Sequence, residues 1–202
     1  MVASRPAYRK SRSVGVTGAI EALIQEMEQN ITRAEAVSGG LDDTAFNWRP
    51  APQKWSIAQC VEHLCLINEV DLPHLDRCIA EARGKGWLSP GPYDYGFLTR
   101  WFISTIEPPA KRRFPAPRRY APQPADIPRE AALRRYREVT HSMIARLKAA
   151  DGLDLGKART VLPALPLLKM PLGGRFALMT SHDRRHLWQA EGVRRNSAFP
   201  MA

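Results

Sequence analysis

The feature that most constrains this chain is its punctuation: prolines and glycines fence off four long stretches in which apolar residues recur at steps of three and four. That spacing is one face of an α-helix. In the first stretch, Ile20, Leu23, Ile24, Met27 and Ile31 predict a helix from about Thr17 to Ser38, stopped by Gly39 and Gly40. Residues Leu41 to Lys54 contain Pro50 and Pro52 and read as a loop. A second helix starts at Ser56, whose hydroxyl can cap it while Gln59 completes a capping box. Its face is Ile57, Cys60, Val61, Leu64 and Ile67, with a kink or break expected at Pro73 and an end near Gly84 and Gly86. The third runs from about Pro128 to Ala150 on Leu133, Tyr136, Thr140, Met143 and Leu147, with Asp126 as a candidate cap. The fourth, from about Arg175 to Arg195, turns Phe176, Met179, His182, His186, Ala190 and Val193 inward.

Between the second and third helices, residues 87 to 126 are rich in Pro, Gly and Arg. A short helical piece fits Phe97 to Ile106, and the remainder reads as a long crossover, a type of loop that is usually functional or mobile. A second linker, Asp154 to Gly174, carries Pro163, Pro166 and Pro171. No stretch shows a strand pattern, so the expected fold is all-α: a four-helix bundle with a long Pro-rich crossover between helices 2 and 3. Residues 1–15, polar and basic, are expected to form a disordered tail, residues 16–196 one domain, and residues 197–202 a second tail. A chain of 202 residues with 44% hydrophobic residues can build one core of that size.

The net charge of +10 raises the question of a nucleic-acid partner. The charge is scattered over the tail, over the crossover (Lys111, Arg112, Arg113, Arg118, Arg119) and over helix surfaces, which suits a solvated basic surface better. No zinc-finger, RNP-type or basic-zipper pattern accompanies it. No apolar run approaches the roughly 18 residues of a membrane span, and the first fifteen residues lack the apolar segment of a secretory signal. Cys60, Cys65 and Cys78 are odd in number and widely spaced, which argues for reduced thiols and a cytoplasmic location.

The chemistry is concentrated in histidines. His182 and His186 lie one turn apart on one helix face, a spacing that lets two imidazoles reach one ion. His63, one turn after Cys60 on the second helix, can supply a third from across the bundle. Three protein ligands leave a metal with an open position, the arrangement of catalytic sites. His74 falls about 16 Å further along the helix axis, and His141 is isolated on the third helix. Gln189 lies on the side of the two late histidines and could orient a ligand or line a cofactor pocket. Cys60 reads as a small buried hydrophobe, Asp183 as a support to the ligands or a surface residue, and Trp55 as the anchor of the second helix.

Two segments resemble a known family. Trp55-Ser56-Ile57, followed by Glu62-His63-Leu64, looks like the second-helix signature of the DinB/YfiT-like superfamily. His182-Asp183-Arg184-Arg185-His186-Leu187-Trp188-Gln189 looks like its last-helix signature, in which HxxxH is often followed by Gln. The likeness extends from about Thr17 to Arg195. It implies a four-helix bundle with a long crossover, a divalent metal (Zn, Ni or Fe) held by His63, His182 and His186, and frequent homodimers. Some relatives are transferases or isomerases that use low-molecular-weight thiols, so the expected activity is thiol-dependent transfer or hydrolysis on a small-molecule substrate. The crossover arginines Arg112, Arg113, Arg118 and Arg119 are candidates for an anionic thiol. The alternative is a non-enzymatic metal-binding or nucleic-acid-associated protein that uses its basic surface.

Overall fold

The protein was analysed as a computed structural model, which describes residues 18–109, 120–122, 126–163 and 165–200. The expected tail of residues 1–15 and the arginines Arg112, Arg113, Arg118 and Arg119 lie outside the described residues. Six helices and two strands occur among the described residues: α1 (Gly18–Ser38), α2 (Asp43–Asn47), α3 (Ile57–Gly84), α4 (Phe97–Ile106), α5 (Arg129–Ala149), β1 (Arg159–Leu162), β2 (Leu165–Pro171) and α6 (Leu172–Arg194). The protein is mostly helical. The long helices pack on one another, α3 against α5 and α6, and α1 against α5 and α6.

Local chemistry explains most element ends. The hydroxyl of Ser56 accepts from the backbone N–H of Gln59, and the Gln59 side chain accepts from the N–H of Ser56, so the capping box of α3 is complete. The helix continues past Pro73 to Gly84 without a break. The first turn of α6 is capped by chain rather than by a side chain: Leu172 and Gly173 donate to the carbonyls of Ala158 and Leu155.

Three features depart from the sequence expectations. Within the expected loop at 41–54, α2 forms because Asp42 accepts from the N–H of Ala45 at 2.7 Å and Phe46 is wholly buried. The second linker is not irregular: β1 and β2 form an antiparallel hairpin, with Thr160 opposite Met170 and Val161 opposite Lys169. Its prolines hid it, yet a two-stranded sheet consists only of edges, where proline is tolerated. Helix α6 begins at Leu172, three residues earlier than expected, with two glycines in its first turn. A Cβ on Gly173 would stand 2.3 Å from the ring of Tyr95, and one on Gly174 would stand 2.7 Å from Thr99. Their lack of a side chain lets the segment leading into α4 lie against α6. The far end of α4 is held there by Phe102, Ile103 and Ile106, packed with Leu162, Met170 and Leu178.

Two large apolar clusters make up most of the core. One gathers Phe46, Ile57, Val61, Leu64, Val139, Leu187 and Ala190, and the other Ile20, Met27, Leu75, Met143, Leu147 and Phe176. Along each long helix the residues between the clusters are polar: Asn30, Asn68 with Asp71, Thr140, and Thr180 to Asp183. Several of these buried groups have partners on other helices. Asn30 donates to the carbonyl of Thr180 at 3.2 Å. Arg175 forms two hydrogen bonds to Asp71, both side chains being buried. Tyr136 donates to Asp183 at 2.8 Å, and Asn68 donates to the same carboxylate. The chain beyond α6 also returns to the body, where Phe199 packs edge-on against Trp48.

The buried Arg175–Asp71 pair generates a test. Removing one partner strands a charge, so Asp71→Ala should cost about 3–5 kcal/mol in chemical denaturation. The double change Asp71→Leu with Arg175→Met should recover most of that loss. A single-variant loss under about 1 kcal/mol would show that the pair does not join α3 to α6.

Candidate metal centre

The ends of the polar region bring three histidines together. His63 comes from α3, and His182 and His186 come from successive turns of α6. Their ring centroids are 5.2 Å apart for His63 and His182, and 4.6 Å for each of the other two pairs. One ring nitrogen from each lies within 4.8 Å of those from the other two, an arrangement that could hold a metal ion. His63 and His186 are buried, and His182 is partly open to solvent.

The protonation pattern follows from the surroundings. Nδ1 of His63 is 2.7 Å from the carbonyl oxygen of Tyr120. A carbonyl can only accept, so Nδ1 carries the proton and Nε2 keeps its lone pair. Burial lowers the His63 pKa, partly offset by that hydrogen bond. Burial holds His182 and His186 well below the usual imidazole value. The neighbouring imidazoles and Arg185 push both in the same direction, and Arg175 adds to this at His182. All three rings are therefore neutral at pH 7 and available as donors.

The residues fit a divalent ion on two counts. Nδ1 of His182 and Nδ1 of His186 are both buried without a hydrogen-bond partner among the described residues. Leaving such atoms unsatisfied is costly, and native proteins usually reserve them for a ligand or ion. The donor set is all imidazole, which suits Zn, Ni and Fe alike.

The other sequence candidates separate clearly. Gln189 is half-buried and acts on the His186 ring, partly offsetting the lowering of its pKa, so it is placed to orient that ring. Cys60 is fully buried, its thiol pushed up by burial, and it does not join the cluster. Asp183 is buried rather than superficial, because its carboxylate turns to Tyr136 and Asn68 and away from the imidazoles. His74 contacts Arg77, and exposed His141 faces Glu28, so neither approaches the site.

Sequence reasoning gave Trp55 too small a part. Its ring lies 4.9 Å from His63 and stacks on His186 at 5.4 Å, forming a wall of the site. Its position directly before a capping serine signals only a helix start. Glu107, at the end of α4, was also missed. It accepts from Ser181 at 2.6 Å and from Arg184, so the end of α4 is tied to the turn of α6 that carries His182.

A family model described as the DinB superfamily matches residues 26–190. The chain belongs to the DinB superfamily. The match takes in the three clustered histidines of this DinB chain, and reaches from within α1 to the later part of α6. No curated protein and no solved structure matches the chain.

The depressed imidazole values set a pH expectation. Three ordinary imidazoles would lose roughly fiftyfold in metal affinity between about pH 7.5 and about pH 6.0, as protons claim the lone pairs. Here each ring stays neutral below its usual value, so chelator competition should show less than about a fivefold loss over that interval. A loss near the larger figure would mean that burial does not protect the donors.

Proposed function

We propose that this DinB-superfamily chain is a divalent-metal-dependent enzyme, with His63, His182 and His186 as the ligands and Zn, Ni or Fe as the ion. The observation that carries the reading is the convergence of three neutral imidazoles, two of them with buried nitrogens that have no partner among the described residues. We read the four long helices as a four-helix bundle of DinB/YfiT-like type, built as one domain over residues 16–196, with the Pro-rich crossover joining its second and third long helices.

Bound there, a divalent ion supplies Lewis acidity that makes water or a thiol acidic near neutral pH. The protein's part is to present the site. The Tyr120 carbonyl fixes the tautomer of His63, Gln189 steadies His186, and Trp55 and the end of α4 wall the cluster. Among the described residues no carboxylate joins the imidazoles as a general base. That favours thiol-dependent transfer over hydrolysis, because a thiol activated by the ion needs no separate base. In such a transfer the thiol sulfur forms a bond to an electrophilic carbon of a small substrate. The leaving group departs with the bonding electron pair, and the thiol proton passes to solvent.

The non-enzymatic nucleic-acid reading receives less support. Arg33, Arg135, Arg137, Arg146 and Arg184 are each paired with a carboxylate, so these guanidiniums are already engaged and less available to a phosphate backbone. A cytoplasmic homodimer acting on a small molecule remains part of the proposal.

Elemental analysis tests it. Protein prepared without a metal-affinity tag should carry near-stoichiometric divalent metal, and His63→Ala should lose most of it while keeping its helical circular dichroism. Equal metal in both proteins would contradict the assignment.

A further inference from the structure

We propose that the outer face of α4 and the neighbouring β1–β2 hairpin, with the cations that flank them, form a docking surface for an anionic lipid bilayer. This surface is apart from the histidine cluster, and the inference does not depend on the metal-centre reading.

Helix α4 turns Phe102, Ile103 and Ile106 inward, against the hairpin and α6. On its other side Phe97, Leu98 and Trp101 are 71%, 76% and 55% exposed. At 100° per residue, Phe97 and Trp101 leave the helix about 40° apart, with Leu98 about 60° beyond Trp101, so the three share one face. The helix contains no acid, and Arg100 is its one charged residue. Exposed apolar surface concentrated in this way marks a place that something else covers.

The apolar surface continues onto the hairpin. Leu162 and Met170 pack with the inner side of α4. Leu168, two residues before Met170, lies on the same face of β2 but is half exposed, and Leu167, on the opposite face, is fully exposed. Lys169 shares the outer face with Leu167, and the Arg159 guanidinium donates to the Lys169 carbonyl. Lys157 stands at the start of α4: a Cβ on the preceding Gly156 would lie 3.0 Å from the carbonyl oxygen of Asp94. Lys157, Arg159 and Lys169 are all exposed, and none forms an ion pair among the described residues. Three nearby carboxylates are engaged: Asp94 by Arg100, Glu81 by Lys85, and Asp154 by the N–H groups of Gly156 and Lys157.

Shape and charge favour a bilayer as the occupant. The ten residues of α4 extend only about 15 Å, half the thickness of a hydrocarbon core, so the helix lies along a surface rather than through one. Aromatic rings and Leu on one face, with cations at the margin, suit the boundary between headgroups and acyl chains. The cations attract anionic headgroups, and the net charge of +10 acts in the same sense. A second copy docking through the same face would bring two cationic flanks onto one interface. Strand addition to the hairpin is hindered because β2 contains two prolines, which have no N–H to offer.

Vesicle co-sedimentation of the full chain tests the surface. Binding to vesicles in which about a third of the lipid is phosphatidylglycerol should be at least about tenfold tighter than to phosphatidylcholine alone. The triple variant Phe97→Ser, Leu98→Ser, Trp101→Ser should lose at least about tenfold of that binding with unchanged helical circular dichroism. Lys157→Gln with Lys169→Gln should lose roughly fivefold on the anionic vesicles alone. His63→Ala should bind vesicles as wild type does, which separates this surface from the metal centre. Equal binding to the two vesicle types, no binding to either, or full binding by the triple variant overturns the proposal. A wild type that ignores vesicles and forms a dimer that the triple variant splits assigns the face to a second copy, and the proposal falls.

Discussion

Everything at the candidate site depends on the rotation of one helix. Helix α6 places two imidazoles toward α3 only if its azimuth is held, and the hold comes from polar contacts inside the core. Asp183, adjacent to His182, accepts hydrogen bonds from Tyr136 on α5 and Asn68 on α3. Two turns earlier, Arg175 of the same helix grips Asp71 of α3. Apolar packing is tolerant of small rotations, whereas a buried carboxylate without its donors costs several kcal/mol, on the order of the cost of any unpaired buried charge. A polar belt between two greasy clusters therefore does what a uniform core would not: it gives the helices one rotational setting. The belt is unfavourable unless complete, and burial raises the Asp183 pKa to about 7 even with both donors present.

The same reasoning explains why the histidines are neutral. Burial disfavours the imidazolium form, and the neighbouring imidazoles further disfavour protonation of His182 and His186. The result is a cluster of lone pairs in which the Nδ1 atoms of both late histidines are buried and have no hydrogen-bond partner among the described residues. A site of this kind is unstable as a purely structural device and well suited to an ion. Its supports come from segments far apart in the chain: the Tyr120 carbonyl on one ring, Gln189 on another, and Trp55 across two of them.

Much of this was legible in the chain because helical periodicity is a local signal. The apolar steps of α1, α3 and α5, the Ser56–Gln59 capping box and the His182–His186 pair are readable from spacing, whereas the joining of His63 to that pair leaned on the resemblance to the DinB/YfiT-like signatures. What escaped reading depends on tertiary neighbours. The hairpin of β1 and β2 hid behind Pro163, Pro166 and Pro171, because proline argues against strands unless both strands are edges. The early start of α6 at Leu172 was obscured by Gly173 and Gly174, whose use is the close approach of Tyr95 and Thr99. Asp183 could be read only as a support to the histidines or a surface residue, because its two partners lie 47 and 115 residues away. Trp55 and Glu107 reach the site only through the way α3 and α4 meet α6, and no short pattern in the sequence encodes that meeting.

The most direct measurement is X-ray absorption at the metal edge of the loaded protein. The account predicts a light-atom first shell with the outer-shell scattering of three imidazoles, falling to two when residue 63 is changed to alanine. A shell without imidazole scattering, or one unaltered by that change, would contradict it.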